Sequence, residues 1–335
     1  MLGYIVRRLM QLVPVLLGIT LLVFLIFHLT ADPTQVILGL HGTPEQREAL
    51  REELGLNEPI LVQYARFVGG ALRGDLGESW TWRTPVAQEI ADKFPHTLEL
   101  ATVAMALAVS VGLVVGVLAA VRSYTIVDYL STGLALVAVS VPVFVLGLLL
   151  ITWFAVKLEW LPINGRMDPL LLDQFRPPNG FYLSYAILTR QWEYAADLAR
   201  HMVMPAVVLA STTTALLVRI TRATMLEVIR QDYIRTARAK GLSERVVIYR
   251  HALKNAMIPV VTVIGLQFGT LLGGAILTET VFTWPGLGTL TLRAVEGHDL
   301  PLVQGVVILL ATLFVLANLT VDILYAALDP RIKYA

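Results

Sequence analysis

The side chains best able to do chemistry are gathered in one stretch. Residues 222–256 carry eight basic groups (Arg222, Arg230, Arg235, Arg238, Lys240, Arg245, Arg250 and Lys254) against three acidic ones, Glu227, Asp232 and Glu244. Cationic clustering of this kind recognises an anionic surface or an acidic partner; it is not a set of acids and bases arranged for catalysis. Six histidines, His28, His41, His96, His201, His251 and His298, are scattered without metal-ligand spacing. Zero cysteines exclude a disulfide framework, thiolate metal sites and a cysteine nucleophile. No phosphate-binding loop, paired-histidine zinc motif or serine nucleophile elbow occurs in the sequence. The chain therefore reads as no enzyme and as binding no cofactor of its own. Any ATP-driven process must take its power from another polypeptide.

The basic stretch has a readable local form. Met225, Ile229, Tyr233 and Ala237 recur at helical spacing as one apolar stripe, with Arg230, Arg235 and Arg238 turned elsewhere, which predicts an amphipathic helix. Gly241 ends it in a left-handed conformation, Leu242 covers the last turn, and Ser243 with Glu244 caps a second short helix that repeats the pattern through Val246, Tyr249 and Leu253. Such a hairpin either rests on anionic lipid or docks a protein, carrying rigid-body motion onward through Pro259.

The elements that must position this hairpin are membrane spans. Of 335 residues, 56% are hydrophobic and 15% charged, and the mean hydropathy is +0.69. Both lie outside the soluble range. A hydrocarbon core of about 30 Å takes about 20 apolar residues per helix. Six runs qualify: 9–29, 98–121, 133–156, 202–220, 258–278 and 302–324. The expected fold is an all-α polytopic membrane protein with six transmembrane helices. Basic residues of the 222–256 loop, Arg7 and Arg8 before the first span, and Arg331 and Lys333 at the end place that loop and both termini in the cytoplasm. The first run is too long for a signal peptide and lacks a small-x-small cleavage site.

The expected organisation is an N-terminal helix over 1–30, an outside segment over 31–97, a transmembrane domain over 98–328 and a tail over 329–335. The outside segment contains the capping box Thr43-Pro44-Glu45-Gln46, with Gly55 placed to end the helix. It is either a solvated lid or a docking surface. A second outside segment, 158–202, is broken by proline and glycine, and Trp153, Trp160 and Tyr182 suit the membrane interface. Gly265, Gly269 and Gly273 form a small-residue stripe, as do Gly112 and Gly116, for close packing or for sliding. Pro142 predicts a kink that shapes a cavity. Glu99, Lys157, Arg219, Glu279 and Asp322 sit at span ends, where they can snorkel. Gln267 and Asn318 either line a pathway or bond between helices. No carboxylate stands at mid-membrane, as an ion-coupled carrier would show.

Asp232-Tyr233-Ile234-Arg235-Thr236-Ala237-Arg238-Ala239-Lys240-Gly241-Leu242, followed by His251-Ala252-Leu253-Lys254-Asn255-Ala256 and Pro259, resembles the cytoplasmic loop of bacterial binding-protein-dependent ABC importer permeases of the dipeptide/oligopeptide/nickel branch. The family signature is Glu-Ala-Ala, three residues and Gly. Arg235 and Thr236 stand at its first two positions, Ala237 and Gly241 match, and Lys254 replaces a later Pro. Tyr4-Ile5-Val6-Arg7-Arg8-Leu9, Gly74-Asp75-Leu76-Gly77, Thr97-Leu98-Glu99-Leu100, Leu161-Pro162 with Gly165-Arg166, Thr278-Glu279-Thr280-Val281-Phe282 with Trp284-Pro285-Gly286-Leu287-Gly288, and Leu328-Asp329-Pro330-Arg331 extend the resemblance over nearly the whole chain.

The resemblance implies a type I importer permease fold in the bacterial inner membrane, forming half of a translocation pathway for peptides or a related solute such as glutathione or a nickel chelate. Arg235, Thr236, Ala237, Arg238, Ala239, Lys240, Gly241, Leu242 and Ser243 would form the coupling helix that enters a groove on an ATPase. Gly265, Gln267, Gly269, Gly273 and Pro142 would serve packing or the pathway. Implied partners are a second homologous permease, one or two ATPase subunits that use the ATP, a periplasmic or lipid-anchored solute-binding protein, and membrane lipid; nucleic acid is not among them. The reading from another class is a carrier or membrane enzyme acting alone.

Overall fold

The computed structural model describes residues 2–30, 33–38 and 43–328. His41, the tail from Asp329 onward with Arg331 and Lys333, and the side chain of Asp322 lie outside the described residues.

Helix α1 (Leu2–Thr30) carries Arg7 and Arg8 near its start and is mainly apolar from Leu9 to Ile26. After α2 (Pro33–Leu38), Thr43 caps α3 (Pro44–Glu53) reciprocally with Gln46. Gly55 (φ +67°) ends α3, with the Leu56 amide returning to the Arg51 carbonyl at 2.9 Å. Helix α4 (Ile60–Ala71) lies along α1: Tyr64 Oη donates to the Leu17 carbonyl at 2.9 Å, and Phe24 packs on the Tyr64 and Phe67 rings. Leu17 is in the middle of an apolar run, so this part of the 31–97 segment sits beside a span and is not a wholly solvated lid.

Helix α5 (Val86–Val121) starts well before the apolar run, since Val86 and Ile90 bury themselves against Leu287, Leu290, Leu302 and Val306. The third run departs from expectation. Helix α6 (Ile126–Ser140) and helix α7 (Val143–Leu150), which continues in wide π-type turns over Ile151–Lys157, meet at 103°. Pro142 denies its predecessor the helical region, and Val141 is extended (φ −82°, ψ 123°). The expected kink is therefore a break. Among the described residues five helices are long and apolar enough to cross a membrane, and the bent pair makes up to six.

Short helices α8 (Pro169–Leu172) and α9 (Tyr182–Leu188) lead into α10 (Trp192–Ile229), which packs along α5 through Gly112 and Gly116. Then come α11 (Asp232–Ala239), α12 (Glu244–Val246), π-type turns over Val247–Ala252, α13 (Leu253–Val281), α14 (Leu287–Glu296) and α15 (Leu300–Leu328). Among the described residues the only β pairing is a single bridge between Glu78 and Pro85. The principal core joins α5, α10 and α13 through Leu100, Ala104, Met202, Leu217, Leu271 and Trp284.

Candidate functional site

Two polar constructions stand at the two ends of α13. The first is an elbow. Helix α10 stops at Arg230, Gln231 is extended (φ −69°, ψ 149°), and α11 begins at Asp232. Ile234 and Ala237 are the buried residues of α11, and they pack with Met225, Val247, Ile248, Ala252 and Ala256. Met225 and Ile229 thus belong to the end of α10 and not to the hairpin helix, and Tyr233 is exposed: the expected stripe is interrupted where the chain changes direction.

Gly241 has φ +75° and ends α11, with its amide 2.9 Å from the Arg238 carbonyl and the Leu242 amide 3.4 Å from that of Ala237. A Cβ at Gly241 would meet nothing within 4 Å, so glycine is required there by conformation and not by space. Of residues 235–243, only Ala237 is buried; Arg235, Thr236, Arg238, Ala239, Lys240, Gly241, Leu242 and Ser243 are exposed. Ser243 makes no side-chain cap, contrary to expectation. The turn is held by Arg238, whose Nε and Nη2 donate to Glu244 at 3.1 and 2.6 Å. That bond holds the Arg238 guanidinium above its ordinary pKa. Asn255 Nδ2 donates to Tyr233 Oη at 2.8 Å, fastening α11 to the start of α13.

The second expected helix does not stand alone. It runs through the π-type turns into α13. The extra residue in each wide turn moves the buried face to Val247, Ile248 and Ala252, away from Val246, Tyr249 and Leu253.

Along α13, a Cβ on Gly265 would lie 1.7 Å from Val321 Cγ2 and one on Gly269 2.7 Å from Phe314 Cδ2, so both serve contact with α15. Gly273 meets nothing within 4 Å and opens on an apolar groove of about 550 Å³ with Ile19, Val307, Leu310 and Phe314. Gln267 Nε2 donates to Thr213 Oγ1 at 3.4 Å, joining α13 to α10. Asn318 Oδ1 is buried without a hydrogen-bond partner. Pro142 stands at the α6–α7 break, remote in sequence from the elbow.

At the other end of α13 lies a knot of buried carboxyls. Glu279 and Glu99 are 0% and 7% exposed, so they do not snorkel. Glu279 Oε1 accepts from Thr97 Oγ1 at 2.6 Å, and Oε2 accepts from the amides of Gly288 at 2.6 Å and Thr289 at 3.2 Å. Thr97 Oγ1 in turn accepts from the Leu287 amide at 2.8 Å, and Trp284 Nε1 donates to the His96 carbonyl at 3.1 Å. Glu99 accepts from the amides of Tyr182, Leu183 and Ser184 at the start of α9. Arg166 donates to the His96 ring and stacks 3.4 Å from the Tyr182 ring centroid. Burial pulls the Arg166 guanidinium below its ordinary pKa, against the opposing pull of Tyr182 and Glu99. Asp299, fully buried, accepts from Ser79 Oγ, from the Thr81 amide at 3.0 Å and from the Leu302 amide at 3.3 Å. Sequence reasoning passed over Asp299. Its signal was an acidic residue immediately before an apolar run.

Among the described residues no group of three or more His, Asp or Glu side chains is placed to hold a metal ion. What the arrangement provides is an exposed, charged turn at one end of a rod and a buried, hydrogen-bonded fastening at the other.

Residues 112–334 match the family of binding-protein-dependent transport system inner membrane components, and residues 1–101 match the N-terminal family of the same membrane components. The chain belongs to this family. It is a permease subunit of an ABC transporter. The dipeptide transport system permease protein DppB of Escherichia coli is 47% identical over 337 residues, covering 100% of this chain and 99% of the relative. The di/tripeptide permease of Pseudomonas aeruginosa is 45% identical over 336 residues, with 100% and 99% covered. The glutathione permease GsiC of Escherichia coli is 42% identical over 335 residues, with 100% of each covered. Among solved structures, the MetNI methionine ABC transporter in an inward-facing form aligns with TM-score 0.52 and 19% identity over 70% of this chain and 93% of that one. The likeness supports the type I importer fold for this permease.

Proposed function

We propose that this permease forms half of the pathway of an ATP-driven peptide importer in a bacterial inner membrane, with the elbow as the element its ATPase partner moves. A second, homologous permease supplies the other half of the pathway, and a solute-binding protein delivers the cargo. In this reading residues 222–256 and both termini are cytoplasmic, and the Glu279 knot faces outward. The observation that carries it is the elbow: Arg235 on α11 and Lys240 at its end stand in solvent, while the helix's buried side, Ile234 and Ala237, is locked to the rod beneath. A contact anchored so firmly transmits force; a stretch merely resting on lipid has no use for the lock.

The dipeptide permeases among the relatives favour peptides over glutathione as cargo. ATPase closure would displace α11, and the displacement would rock the two permease halves about their shared cavity.

The test is reconstitution in vesicles of this chain with its second permease, ATPases and binding protein. Labelled dipeptide should accumulate only when ATP and the ATPases are present. Accumulation against a gradient by the permeases alone would establish the rival, a self-powered carrier.

A further inference from the structure

The rod between the two constructions is continuous. From Glu244 the chain runs through α12 and the π-type turns into α13, whose 29 residues alone span roughly 43 Å. At the elbow the rod is fastened to α11 by Arg238–Glu244, by Tyr233–Asn255 and by the apolar cluster of Ile234 and Ala237. Its far end is fastened by the carboxyl of Glu279, beside the Trp284–His96 bond, the Gly165 amide on the Phe282 carbonyl and the packing of Phe282. Each carboxyl oxygen holds a different element: Oε1 binds Thr97 of α5, and Oε2 binds the first amides of α14. No slack surrounds these bonds. A Cβ on Gly288 would sit 2.5 Å from the Ile276 backbone, and one on Gly286 would sit 2.2 Å from Glu279 Oε1.

A fully buried carboxyl is a poor device for stability alone, because desolvation offsets most of what its bonds return and an apolar residue packs as well. What it offers is direction. Glu279 is 0% exposed, and both its oxygens are bonded to the chain, so the carboxyl offers nothing to a cargo. Beyond it, Asp299, between α14 and α15, joins the start of α15 to Ser79 and Thr81 of the segment ahead of α5, and its own amide bonds the Ala294 carbonyl of α14. Movement of α13 thus has a bonded route to α5, α14, α15 and residues 79–81.

We infer that Glu279 is a positioning residue for import: by fastening the end of α13 to α5 and α14, it makes displacement at the elbow arrive at the opposite face of the membrane as one rigid movement. This rests on the elbow being the driven element. With the fastening cut, the ATPases still turn over, and the opposite face no longer follows.

The experiment uses the complete reconstituted assembly carrying Glu279→Gln, Thr97→Val or Thr97→Ser, and measures assembled complex, ATP hydrolysis and dipeptide uptake per ATP hydrolysed. Glu279→Gln should assemble and hydrolyse ATP within about twofold of the unaltered chain, while uptake per ATP falls at least about tenfold. Thr97→Val should fall in the same direction and Thr97→Ser should restore the ratio, which a purely structural role would not produce. Unchanged uptake per ATP in Glu279→Gln and Thr97→Val, or uptake lost only in proportion to assembled complex, overturns the inference. Should Glu279→Gln not assemble, the two Thr97 variants decide by the same criterion. An unaltered assembly that fails to import dipeptide counts against the proposed function itself, and the inference falls with it.

Discussion

The two ends of α13 handle charge in opposite ways. At the elbow, Arg238 and Glu244 are 40% and 55% exposed, Arg235 stands in solvent, and the glycine at the turn has open space where a side chain would go. At the knot, Glu279 and Asp299 are fully buried, every bond runs to the chain itself, and the glycines have no room at all. Polarity left in solvent is available to another protein, whereas polarity buried and hydrogen-bonded specifies the position of its own chain. The contrast separates the end proposed to be gripped from the end proposed to hold.

Substitutions that respect or violate this contrast should rank accordingly. The largest effect belongs to Gly288→Val, whose Cβ meets backbone at 2.5 Å and cannot be accommodated by a rotamer. A loss of about 3 kcal/mol is expected, read as little full-length protein in membranes and early melting in detergent. Next is Gly241→Asp. A left-handed non-glycine costs roughly 1–2 kcal/mol, so the protein should assemble; uptake should nonetheless collapse while ATP hydrolysis persists, because the elbow is displaced. Full uptake with normally stimulated hydrolysis in that variant would remove the distinction between the two ends. Ser79→Ala takes one donor from buried Asp299 and should lower stability by about 1–2 kcal/mol, visible as a drop in melting temperature. Smallest is Arg238→Ala. An exposed pair is worth less than about 1 kcal/mol, so melting should barely change, and what change there is should vanish in high salt.

At the elbow the glycine turn and the basic cluster were legible in the sequence but the buried faces were not, and at the knot almost nothing was. Gly241, the basic residues and the capping box at Thr43 act through neighbours a few positions away, and local spacing reports such contacts. The apolar runs were readable for the same reason, since crossing lipid depends on consecutive residues. Pro142 announced a disturbance, but its size, a 103° break, depends on what α6 and α7 pack against. The π-type turns over Val247–Ala252 moved a buried face without any breaker residue to mark them. Glu279 looked like a snorkelling end residue because its partners, Thr97 and Gly288, come together only once α5 and α14 are folded beside it.

The chain has no cysteines, so Arg235→Cys places one reactive thiol on the exposed side of α11. Thiol cross-linking of that variant in the assembled transporter tests most directly whether the elbow is where force enters. The expected result is a covalent product with an ATPase subunit whose yield changes between nucleotide-free and ATP-bound states. A thiol that reacts freely with water-soluble reagents in both states and never captures an ATPase would contradict it.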